Sequence, residues 1–94
     1  MVIPVLVKDP AAELDYGFDW GMDGWLAAGE TVTTSTWTVA AGLTQITSGI
    51  SGGTVTTVWL SGGVAGTDYL VTNRIVTDGG RTDERSLNIR VRQR

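Results

Sequence analysis

Apolar and polar residues alternate with a period of two along most of the chain. Leu14, Tyr16, Phe18 and Trp20 alternate with Asp15, Gly17 and Asp19, which predicts a half-buried strand with an acidic outer side. Gly21 to Gly29 breaks this pattern; Trp25, Leu26, Ala27 and Ala28 predict one helical turn that plugs an end of the core, capped by Asp23. The run Thr31 to Val39 predicts a long strand in which Trp37 and Val39 share a face with Thr33 and Ser35. Leu43 to Thr47 predicts a short strand with Leu43 and Ile46 on opposite faces, followed by a flexible Ser48–Gly53 loop. In the next strand, Thr54 to Leu60, the facing is ambiguous: Val58 and Leu60 lie on one side, Val55 and Trp59 on the other.

The clearest strand is Thr67 to Thr77, where Tyr69, Val71, Asn73 and Ile75 alternate with Leu70, Thr72, Arg74 and Val76. Apolar residues on both faces predict a central position. Asp78-Gly79-Gly80 accepts positive φ and predicts a hairpin. The last strand spans Asp83 to Val91 with Leu87, Ile89 and Val91 inward; Asn88, Arg90 and Arg92 face outward, and Arg94 continues their row.

Six or seven strands punctuated by glycine-rich turns, with no helical segments between them, predict an all-β fold. The expectation is an immunoglobulin-like β-sandwich of about seven antiparallel strands, one domain spanning residues 1–94. Fourteen Thr and eleven Val, both β-branched, suit pleated surfaces, and thirteen Gly suit many tight turns. There is no cysteine, so stability must come from packing, as suits a reducing compartment. The apolar run Val2–Val7 is short and broken by Pro4, which does not fit a signal peptide. No stretch approaches the ~20 apolar residues of a membrane-spanning helix, and no membrane partner is expected.

Charge divides the chain. Residues 1–50 carry six acids and only Lys8 as a base, whereas residues 51–94 carry four acids and six arginines. An overall charge of −3 is a poor match for nucleic acid, whose affinity comes mostly from phosphate neutralisation. The asymmetry suits attraction between copies or a protein partner.

Catalytic chemistry finds little support. Without His or Cys there is no Ser-His or Cys-His pair, no thiol redox chemistry and no His-based zinc site. No phosphate-cradling glycine motif occurs. Asp15, Asp19 and Asp23 recur every four residues, but a strand spreads them over about 27 Å, unlike a calcium loop. Adjacent Asp83 and Glu84 point to opposite strand faces and cannot flank a cleft. No cofactor, no metal and no enzyme activity are expected. Candidate interface residues are Trp25 and Trp59, which the core does not obviously need, and the row Arg90, Arg92 and Arg94. An exposed tryptophan also fits a carbohydrate-binding or surface-adhesion module, which stands as the alternative.

Two resemblances sharpen these readings. Gly66-Thr67-Asp68-Tyr69-Leu70-Val71 resembles the corner entering the penultimate strand of immunoglobulin-like domains, with Val71 where antibody domains hold a cysteine and Trp37 as core tryptophan. More of the chain resembles a family of small tailed-bacteriophage and prophage proteins, some described as fiber–tail adaptors. The resemblance is carried by Lys8-Asp9-Pro10, Leu14-Asp15-Tyr16-Gly17-Phe18-Asp19-Trp20, Ser35-Thr36-Trp37-Thr38-Val39 and Val58-Trp59-Leu60-Ser61-Gly62-Gly63. It continues through Ala65-Gly66-Thr67, Val71-Thr72-Asn73-Arg74-Ile75 and Gly80-Arg81-Thr82-Asp83-Glu84-Arg85-Ser86. It implies a non-enzymatic virion structural protein at the tail or head–tail region, present in the host cytoplasm before assembly. The implied partners are other virion proteins; the charge asymmetry leaves copies of itself as an alternative partner.

Overall fold

A computed structural model describes residues 4–21 and 25–93. Among these lie seven strands: β1 (Val5–Lys8), β2 (Leu14–Asp19), β3 (Val32–Val39), β4 (Leu43–Ser51), β5 (Val55–Gly62), β6 (Asp68–Thr77) and β7 (Thr82–Val91). They form two sheets, ordered β1-β7-β6-β3 and β2-β5-β4. Strands two, five and four therefore face strands three, six and seven, which is the immunoglobulin-like division of a sandwich. All pairs are antiparallel except β1 with β7, which run parallel with Val5 opposite Asn88 and Lys8 opposite Val91. The all-antiparallel expectation is corrected there, because the first strand joins the last one in the sheet opposite β2.

Alternation sets the core. Tyr16, Trp37, Leu43, Val58, Leu60, Tyr69, Val71, Leu87, Ile89 and Val91 form one buried cluster, while Trp20, Val32 and Ile75 form a second. Phe18 touches both, stacking on Trp37 at 5.9 Å and meeting Trp20 edge-on at 6.1 Å. Fully burying each such side chain contributes roughly 1.5–3 kcal/mol. The ambiguous facing of β5 is resolved: Thr56, Val58 and Leu60 are buried, and Trp59 points outward, 41% exposed.

The tyrosine corner is present. The Tyr69 hydroxyl accepts the Val64 N–H at 2.9 Å, and Val71, two residues on, is fully buried. The Tyr69 ring lies against Gly42, whose φ is 109° and where an added Cβ would come within 2.6 Å of Cε1. Only glycine meets both demands.

Three regions differ from the sequence reading. Ser48–Ser51 extend β4 instead of forming a loop, and the turn is confined to residues 52–54. As an edge strand, β4 exposes most of its length and needs little apolar content to hydrogen-bond with β5. Residues 25–30 form a bend and a turn with no helix, although Trp25 and Leu26 do pack on the second core cluster. The proposed cap Asp23 lies outside the described residues. Finally, β6 is buried on one face only: Leu70 is 50% exposed on the other.

Candidate docking surfaces

The interior is occupied by structural work. Trp20 Nε1–H donates to Thr56 Oγ1 (3.0 Å) and Asn73 Oδ1 (3.2 Å), and Thr56 Oγ1 donates to Asn73 Oδ1 (2.6 Å). Asn73 Nδ2 then reaches Ser35 Oγ and the Thr36 carbonyl. This network ties both sheets together where a buried polar group without partners would be costly. Lys8 is also buried. Its ammonium donates to the carbonyls of Gly62 (2.7 Å) and Asp9 (2.9 Å), and desolvation lowers its pKa. The side chain thus clips β1 onto the end of β5.

Most arginines are engaged as well. Arg81 pairs with Glu30 through Nε (3.1 Å) and Nη2, donates to the Trp25 carbonyl (2.6 Å), and lies 4.2 Å over the Trp25 ring. Glu30 also accepts from Thr77 Oγ1 and the Ala27 N–H. Its hydrogen bonds from Arg81, then Thr77, lower its pKa to about 2. Trp25, a sequence-level interface candidate, is therefore half-buried between Trp20 (5.4 Å between rings) and Arg81, where it fastens the loop before β3 to the β6–β7 hairpin. Arg85 sits 4.2 Å over the Trp20 ring. Arg90 donates to both oxygens of Asp68 (3.1 and 3.3 Å), and this bond lowers the Asp68 pKa.

The row Arg90, Arg92, Arg94 is thus unequal. Arg90 is half-buried and paired, whereas Arg92 is exposed and forms no ion pair among the described residues. Its backbone N–H extends the ladder to the Lys8 carbonyl, continuing the outward parity of Arg90. Arg94 lies outside the described residues.

The other prominent feature is the outer face of β2-β5-β4. Trp59 stands there directly opposite Asp15 of β2 on one side and Thr47 of β4 on the other. Next along, Thr57 lies between Gly17 and Gly49, neither of which raises a side chain. A Cβ at Gly17 would lie 2.3 Å from the Thr56 carbonyl oxygen, so that position must stay bare. The result is an open depression of about 380 Å³, lined by Asp15, Thr47, Gly49, Ile50, Thr57 and Trp59 among others. Among the described residues, Trp59 is the one aromatic that lines it. Sequence reasoning identified Trp59 but not its partner Asp15, because the pairing of β2 with β5 carries no local signal.

No curated protein matches the chain. The family model of the podophage GP4 fiber-tail adaptor protein gp77 matches residues 8–90, from the end of β1 to the outward arginine of β7. The matched span takes in both sheets, the tyrosine corner and the Trp59 depression. The chain therefore belongs to the podophage GP4 fiber-tail adaptor gp77 family, small proteins of the tailed-phage virion.

Proposed function

We propose that this protein is a non-enzymatic adaptor of the virion that joins a tail component to a fiber component by protein–protein docking, and that it also contacts copies of itself. The family match over residues 8–90 carries the reading. The structure supports it in three ways. Core residues are committed to a rigid, disulfide-free sandwich. Its long dimensions, 42 × 26 Å, offer faces larger than the ~800 Å² per partner of a standard stable interface. Each outer face also carries an exposed apolar centre, Trp59 on one and Leu70 with Val5 and Val7 on the other. An apolar centre ringed by polar groups is the usual anatomy of a docking patch.

The reading is tested by reconstitution. Particles assembled without this protein should carry tails but no fibers, and adding the purified protein should restore fiber attachment. Fibers attaching equally well without it would remove the adaptor role.

A further inference from the structure

We infer that the Trp59–Asp15 depression is a socket for an arginine of a second copy, and that Arg92 is the residue that enters it. The inference deepens the self-contact part of the proposed function and rests on that reading. The chemistry of the socket selects the ligand. An indole face beside a carboxylate attracts a planar cation, which can stack on the ring and donate hydrogen bonds from its edge to the carboxylate. Arginine does this better than lysine because its guanidinium is flat, weakly hydrated and forked. Asp15 and Trp59 are direct cross-strand neighbours, so their side chains stand within about 5 Å of each other at Cβ. Gly49 lines the depression and Gly17 lies across Thr57 from it, so neither flanking position raises a side chain over the approach.

Charge complementarity names the donor. The outer positions of β2, β5 and β4 include Asp15 and Asp19 but no base. The opposite outer face holds Arg74, Arg90 and Arg92. Arg90 is neutralised by Asp68, and Arg74 faces Glu84 across the β6–β7 pair. Arg92 forms no ion pair among the described residues and acts on Asp68 only as a neighbouring charge. Stacking like faces would set Asp15 and Asp19 against themselves, or the arginines against themselves. Stacking unlike faces pairs opposite signs and places Trp59 toward the apolar Leu70 side. Because socket and arginine lie on opposite sheets of one copy, the contact is heterologous and leaves a socket and an arginine unused at the two ends. Such a contact propagates into a ring or a filament.

Sedimentation equilibrium on the purified full chain tests this. The weight-average mass of the wild type should rise with protein concentration and fall back as salt increases. Asp15→Arg and Arg92→Asp should each weaken association at least about tenfold, and Trp59→Ala likewise. An equimolar mixture of the Asp15→Arg and Arg92→Asp chains should recover association, which misfolded variants cannot do. A wild type that stays monomeric at every concentration, or a mixture that stays as weak as its parts, overturns the inference. Fiber attachment to tails, measured separately, would survive that outcome if only the socket assignment is wrong.

Discussion

Replacing Tyr69 by phenylalanine removes one oxygen from the corner between β5 and β6 and leaves the ring in place. The hydroxyl accepts a single bond, the Val64 N–H at 2.9 Å. A neutral hydrogen bond contributes a net ~0.5–1.5 kcal/mol, and a stranded buried partner adds a desolvation cost. Val64 itself is 64% exposed, so its amide recovers water once the oxygen is gone. The expected loss is therefore about 1 kcal/mol. For a domain of this size that lowers Tm by roughly 4–8 °C. With a urea slope of ~1–3 kcal/mol/M, the midpoint falls by about 0.3–1 M at unchanged slope. Urea titration followed by tryptophan fluorescence reads it directly, since Trp20 and Trp37 are buried. An unchanged midpoint would mean that the corner bond contributes nothing. A loss above about 3 kcal/mol would mean that the hydroxyl holds more of the structure than this one amide.

Other perturbations probe other parts. Gly42→Ala forces a side chain into positive φ and against the Tyr69 ring, and should cost more than Tyr69→Phe, about 2–3 kcal/mol in the same assay. Lys8→Ala removes two hydrogen bonds and a buried aliphatic stem, and should cost about 2–4 kcal/mol, with hydrogen exchange accelerating first in β1. Glu30 has a folded pKa of about 2, below its ordinary value of 4.5, so its contribution is present above pH 4.5 and is lost as pH falls toward 2. Glu30→Gln should flatten the stability profile across that window, measured by thermal melts from pH 6 to about 2. Arg90→Glu would place a second carboxylate beside Asp68 and lower Tm, whereas Arg92→Glu, which breaks no ion pair and removes only a neighbouring charge that favours the Asp68 carboxylate, should lower Tm by less.

Much of the architecture is legible in the sequence because alternation reports directly on which residues face a core. Strands β2, β3, β5, β6 and β7, the Asp78–Gly80 hairpin and the tyrosine corner all follow from local pattern or from a corner motif. What escaped depends on partners distant along the chain. β1 is a short parallel strand between the two ends of the chain, so no turn announces it, and its buried Lys8 reads as a surface residue. The Ser-Gly-Ile-Ser stretch of β4 has loop composition and is drawn into an edge strand by pairing with β5. Asn73 occupied an inward position by parity, but its four hydrogen bonds to or from Trp20, Thr56, Ser35 and Thr36 join segments far apart. The candidate surface was half visible. Trp59 and Arg92 stand out from the sequence alone, while the engagement of Trp25 by Arg81 and of Arg90 by Asp68 follows only from the folded register.

A cryo-EM reconstruction of the particle at side-chain resolution bears most directly on the adaptor role. It should place this seven-stranded sandwich between tail and fiber, touching both, with Trp59 and Asp15 covered and an arginine against the indole. Density for the sandwich away from every fiber, or with both of its sheet faces bare to solvent, would contradict it.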